Sequence, residues 1–465
     1  MKKNIKILFI FLLPLIMFFG CKERTDLTGP QTVSGRADFT RFVSIGNSLT
    51  AGYESSALFE SAQMYSFGNL ISQQVNTTYV QPVISDPGIG GQIRIVSLDP
   101  FVTTQETNYG TLQNPNYPSA YNNLGIPGIV LYDVMNATSL QNSGSHSPFI
   151  DIVLRGQGTQ FTQAQSLNPT MITLWIGNND VLGFATSGGA NPSAPTDAQT
   201  FSYLYGLLAD GLAATGAKVV LANIPDVTTI PFFTTVGPGF AQMLTAAGAQ
   251  GFYYQDHSYM PTQGATAQLT NYSLLLTLVS QSYLADFGRP TGKFYRDHNI
   301  PPAQVGVDTT KPFGADPGNP IPNALILDAS EIQTAEQSTS TFNYYISSAV
   351  AKYPSQFALV DINGLLSRIR NSDASGGTDF EGIKFSTTFV EGGLFSLDGV
   401  HPTAQGYAII ANEFLKVINS KFDATYDLVD ISTIPGSLYF AKKRHFNIFG
   451  EGTYLDPAAY ENVLF

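Results

Sequence analysis

A single cysteine in 465 residues excludes a disulfide framework and any site built on several thiolate ligands. Charge is scarce too. Only 12% of residues are Asp, Glu, Lys or Arg, about half the ~25% of an average soluble protein. The 23 Lys and Arg are outnumbered by 35 Asp and Glu, leaving a net charge of −12. With no long basic stretch to offset that balance, a phosphate-backbone partner is excluded and no nucleic acid is expected. No stretch reaches 18 uninterrupted apolar residues, so nothing reads as a helix crossing a bilayer. No internal repeat or low-complexity tract occurs, and the five histidines form no His-Glu-x-x-His pair.

What is present is apolar and turn-rich: 43% hydrophobic, 12% aromatic, with 43 Gly and 27 Pro. That composition and length allow two to four ordinary domains, or one domain with large insertions, and a sizeable core in either case.

The first 20 residues read as an export address. Lys2, Lys3 and Lys6 form a positive start, and Ile7 to Phe19 is an apolar run too short to span a membrane. The run ends in Phe18-Phe19-Gly20-Cys21, with the lone cysteine at the junction. This resembles the lipobox of bacterial lipoproteins, which implies lipidation of Cys21 and export to a membrane-anchored position, at the outer membrane on its periplasmic or surface face. An ordinary secretory signal with a chance cysteine is the alternative. Residues 21–38, polar and containing Gly and Pro, read as a tether.

From residue 39 onward, short apolar runs alternate with helical patterns. Thr40–Ile45, Met171–Ile176, Lys218–Ile224 and Phe357–Asp361 read as strands buried on both faces. Helices are expected at Phe201–Thr215, Ser340–Lys352 and about Thr403 to Phe422. The last carries an apolar stripe of Tyr407, Ile410, Ala411, Phe414, Val417 and Ile418. The alternation implies an α/β, doubly wound parallel sheet between two helix layers. Two long insertions interrupt it, at 84–122 and at 228–323. The second is studded with Phe232, Phe233, Phe240, Phe252, Tyr253, Tyr254 and Tyr259. Residues 431–465 form an extension with no assigned role.

Three turns at strand or helix junctions carry chemistry-bearing residues. Gly46-Asn47-Ser48-Leu49 sets a serine at a strand's carboxyl end, where open α/β sheets bind ligands, although such a serine is often only a helix cap. Gly177-Asn178-Asn179-Asp180 offers an amide donor at a second strand end, or simply a tight turn. Asp398-Gly399-Val400-His401-Pro402 can set a carboxylate behind an imidazole. His146, His257, His298 and His445 lack ligand spacing, so no metal site is expected. Gly88–Gly91 lacks the lysine of a phosphate cradle and reads as a flexible loop.

Together these blocks resemble the GDSL, or SGNH, hydrolases. Gly46-Asn47-Ser48-Leu49 is similar to the first family block, with Asn in place of Asp. Asn123-Leu124-Gly125-Ile126-Pro127-Gly128 resembles the second, Gly177–Asp180 the Gly-x-Asn-Asp block, and Asp398–His401 the Asp-x-x-His block. Asn223-Ile224-Pro225-Asp226 with Pro231 is similar to a stretch of the lipase-like members. The resemblance implies a flavodoxin-like three-layer fold over 39–430. It implies Ser48 as nucleophile, His401 as general base and acid, and Asp398 as its orienting partner. The backbone amides of Ser48 and Gly128 and the Asn179 side chain would form the oxyanion hole, with no metal or cofactor. Asparagine at position 47 is expected to tune activity, not abolish it. The function so implied is hydrolysis of an acyl ester, of a lipid or an acylated glycan, outside the cytoplasm. The aromatic insertion favours an acyl chain over an acetylated sugar. Acyl transfer by the same triad and a non-catalytic ligand-binding lipoprotein are the alternatives.

Overall fold

The protein is described by a computed structural model, which covers residues 37–249, 251–436, 448–450 and 452–461. Cys21, the export address, most of the tether and His445 lie outside the described residues.

Four parallel strands form the central sheet in the order β1 (Phe42–Gly46), β2 (Met171–Trp175), β3 (Lys218–Ala222) and β4 (Phe357–Val360). β1 and β2 are buried at every position, as their continuous apolar runs require when helices cover both faces. On the outer edge of β1 the segment 122–126 runs parallel to it. Ser44 N–H donates to Asn122 O at 2.8 Å, Leu124 N–H to Ser44 O at 2.9 Å, and Ile126 N–H to Gly46 O at 3.0 Å. The chain therefore winds outward from β1 in one direction and then reverses. That reversal makes the carboxyl end of β1 the switch point where such sheets bind ligands.

Eight helices matter here: α1 (Ser48–Ala51), α2 (Phe67–Gln74), α3 (Asn179–Thr186), α4 (Ala198–Ala214), α5 (Ala329–Lys352), α6 (Ile362–Ser372), α7 (Ala404–Lys421) and α8 (Pro457–Glu461). α2 packs on α7, where the Phe67 and Phe414 rings stack at 4.8 Å. α4 packs on α5 through Phe201 and Phe342, whose ring centroids lie 3.8 Å apart. Burying one such ring is worth ~1.5–3 kcal/mol. These two pairs are the helix layers that enclose the sheet. The expected stripe on α7 is buried except at Val417, which is half-buried.

Strand bounds differ from the sequence reading by one or two residues. The larger difference is α5, which begins at Ala329 and not at Ser340. Its first turns are rich in Ser, Thr and Gln, so they show little apolar period. Their start is set instead by a reciprocal cap: Asp328 accepts from the Ser330 and Glu331 amides, and Glu331 accepts from the Asp328 amide.

Both insertions carry structure of their own. The first holds a hairpin, Ile93–Leu98 with Phe101–Gln105, and the second pairs Gly251–Gln255 with Pro261–Ala265. Phe232, Phe233, Phe240, Phe252 and Tyr254 are buried and meet one another ring to ring. Most of these aromatics thus build a local core, and the ground for favouring an acyl chain narrows accordingly. Gly88–Gly91 is docked, not free: Ile89 forms a bridge with Leu58. Among the described residues, no helix is long and apolar enough to cross a membrane.

Candidate active site

The turn after β1 is built around close approach. A Cβ on Gly46 would sit 2.2 Å from Thr50 Oγ1 and 2.4 Å from the Trp175 carbonyl, so only glycine lets the chain leave the sheet there. Asn47, fully buried, then caps α1 by accepting from Leu49 N–H at 3.1 Å. Its amide donates to Asn178 Oδ1 at 3.4 Å. An aspartate could make the first bond but could not donate the second. Asparagine at this position ties the Ser48 turn to the Gly177–Asp180 turn.

The second half of the site comes from the turn before α7. Asp398 Oδ1 accepts from the backbone N–H groups of Val400 at 2.9 Å and His401 at 2.8 Å, which folds the turn around the carboxylate. Gly399 adopts φ +71°, a left-handed conformation that side chains resist, and its carbonyl accepts from Phe232 N–H at 3.0 Å.

These turns bring the expected triad together. His401 Nδ1 lies 3.0 Å from Asp398 Oδ2, and His401 Nε2 lies 2.9 Å from Ser48 Oγ. All three residues are buried, with Asp398 at 0% exposure. Burial pushes the Asp398 carboxyl up, but its pairing with the His401 ring and the bonds from the His401 and Ser56 amides outweigh it, leaving the carboxyl below its usual value. An ionised carboxylate can only accept, so Nδ1 carries the ring proton and Nε2 is left to accept from the Ser48 hydroxyl. The ring packs against Tyr53, centroids 4.8 Å apart.

Gly128 (φ +82°) and Asn179 line one cavity of about 840 Å³. Asn179 Nδ2 donates to Ile129 O at 2.8 Å, which ties α3 to the Gly128 loop. Its lining includes the polar Ser145, Asn191 and Thr196 and the apolar Phe232, Phe294 and Leu325. Asp180, also in the lining, is raised by burial to about 6 against the lowering bonds from Thr196 and the Leu131 amide.

Several contributors carry no motif signal. Ser56 N–H donates to Asp398 Oδ2 at 2.9 Å, from a backbone in which both Ser55 (φ +51°) and Ser56 (φ +61°) are left-handed. Gln160, fully buried, donates to the carbonyls of both Gly46 and Leu124 and so clamps the Ser48 turn to the Gly128 loop. Glu54 sits near Asp398, and burial followed by that charge raises its carboxyl to about 8.

Other candidates fall elsewhere. Asn223 bonds Asp361 Oδ1 and the Asn363 amide, and Asp226 caps Thr228, so the Asn-x-Pro-Asp block acts as a brace beyond β3. His257 pairs with Asp328 at 2.7 Å. His298, whose Nδ1 donates to Phe294 O at 2.7 Å, is the exception and lines the same cavity as Gly128 and Asn179.

No curated protein matches the chain. Residues 42–414, from the first residue of β1 into α7, match the family described as GDSL-like Lipase/Acylhydrolase. That span contains the Ser48, Gly128, Asn179 and Asp398–His401 blocks in order, on an α/β sheet with the serine at its switch point. The chain therefore belongs to the GDSL-like lipase/acylhydrolase family, a family of ester-type hydrolases.

Proposed function

We propose that the protein is a serine ester hydrolase, exported and held at a bacterial membrane by a lipid on Cys21. The observation that carries the enzymatic reading is the unbroken relay from Ser48 Oγ through the His401 ring to Asp398, with links of 2.9 and 3.0 Å. His401 Nε2 takes the hydroxyl proton as Ser48 Oγ bonds to the ester carbonyl carbon. The Gly128 and Ser48 amides and the Asn179 side chain receive the negative charge that develops on the carbonyl oxygen. As the C–O bond to the alcohol breaks, His401 returns the proton to the leaving oxygen and an acyl-serine remains. Water then repeats the sequence and releases the acid. Asp398 holds the tautomer and steadies the imidazolium in both halves.

The described residues lining the cavity include no Lys or Arg, and Asp180 is one of them. Apart from the His298 imidazole, a phosphate-bearing substrate finds no basic group there to pair with, so a neutral ester, of a glyceride or an acylated glycan, fits best.

The test is hydrolysis of p-nitrophenyl esters from acetyl to long-chain acyl by the full chain beside Ser48→Ala, with fluorophosphonate labelling of both. Turnover and labelling that require Ser48 support the reading. Two folded but equally inert proteins would sink it. Lipid attachment is checked separately by intact mass, which gains acyl chains in the wild type and not in Cys21→Ser.

A further inference from the structure

The described residues of the C-terminal segment beyond the family match clasp both insertions. Gln281 Nε2 donates to Ile448 O at 2.7 Å, and the Phe449 ring lies 6.2 Å from Phe240, fixing one end to the aromatic insertion. Tyr454 N–H donates to Phe101 O at 3.1 Å and Tyr454 O accepts from Thr103 N–H at 3.0 Å, fixing the other to the hairpin. α8 then rests on both Leu278–Ser280 and Phe101–Gln105.

This clasp delivers Tyr460 to the site. Its side chain is 1% exposed, its hydroxyl is 3.5 Å from Thr103 Oγ1, and it lines the same cavity as Gly128, Asn179 and Phe232. Phe232 is bonded through its amide to the Gly399 carbonyl of the acid turn. Tyr460 also feels the charge of Asp398, which adds to burial in holding its phenol proton. It shares the cavity with Gly128 and Asn179, two of the residues expected to form the oxyanion hole.

Resting on the Ser48 ester-hydrolase reading, we propose that Tyr460 is a specificity-determining residue, the roof of the substrate cavity, and that it selects compact neutral esters by limiting the group that can lie beside Ser48. A rigid aromatic wall discriminates by size because each methylene it excludes changes transition-state binding by about tenfold or more.

The experiment measures kcat/KM of the full chain for p-nitrophenyl acetate and p-nitrophenyl decanoate, with labelling rates for a small and a bulky fluorophosphonate. In Tyr460→Ala the decanoate-to-acetate ratio rises by about tenfold or more, and the bulky probe gains on the small one. In Tyr460→Trp both ratios fall, which separates a size filter from a general loss of folding. Unchanged ratios in both variants overturn the roof. If the small probe fails to label the wild type, the Ser48 reading fails and the roof falls with it.

Discussion

The Ser56 amide points at Asp398, donating at 2.9 Å to the carboxylate oxygen that also meets the His401 ring. To aim it, two successive non-glycine residues take the left-handed backbone, each at a cost of about 1–3 kcal/mol. Such strain persists only where surrounding bonds over-determine it, and here Ser55 also donates its amide to Ser396 Oγ at 2.9 Å. Ser56→Gly keeps the N–H and relieves the strain, so its melting temperature and kcat hold or rise. Ser56→Val sets a β-branched residue at positive φ and lowers both. Calorimetry with ester kinetics on the pair checks this.

On the proposed mechanism, Ser48, His401 and Asp398 act as a unit. Ser48→Ala and His401→Ala each lower kcat by about five to six orders of magnitude, and the double variant is no worse than either. Asp398→Asn presents a donor where the imidazole N–H needs an acceptor, and kcat falls by about 10⁴ with KM little changed. Additive losses in the double variant would show that the two side chains work separately.

Asn179→Ala removes one amide donor from the cavity and lowers kcat by about 10²–10³. Asn47→Asp keeps the cap on Leu49 and loses the bond to Asn178. Its effect on kcat is within about tenfold, since a neutral hydrogen bond is worth ~0.5–1.5 kcal/mol. Asn47→Ala loses the cap too and lowers stability by a further ~0.5–2 kcal/mol. Urea titration and single-ester kinetics separate the two effects.

Glu54 predicts a pH dependence of stability. Its folded value of about 8 lies above the unfolded value of 4.5, so the native state binds the extra proton. The stabilisation is complete below the unfolded value and drains away as pH rises through the folded one, at up to about 1.4 kcal/mol per pH unit. Asp180, at about 6, and Glu331, at about 7, act with the same sign lower in the window. Glu54→Gln stays neutral, so its unfolding free energy falls less than the wild type's between about pH 5 and pH 8.5. Urea unfolding at the two ends measures the difference, and equal losses in both proteins would refute it.

The sheet and the triad are legible in the sequence for a shared reason. Buried parallel strands are short apolar runs that end in turn residues, and the reactive groups sit in those turns. β1 with Ser48 and β2 with Asn179 follow this rule. The edge segment 122–126 is legible only as a motif, because its pairing with β1 involves backbone atoms of a stretch full of Asn and Gly. Ser56 acts through an amide that every non-proline residue has, and Gln160 resembles any polar helix residue until its two carbonyl partners are seen. Tyr460 is drawn to the cavity by contacts across the whole length of the chain, which no local pattern encodes.

Ser48 and His401 are separated by 353 positions, so the serine is synthesised long before the imidazole it meets. Contacts of such sequence separation form late, after the intervening loops have closed. A partly synthesised or unfolded chain therefore holds the serine without the imidazole that would arm it. The pairing of serine with imidazole comes only with the completion of folding.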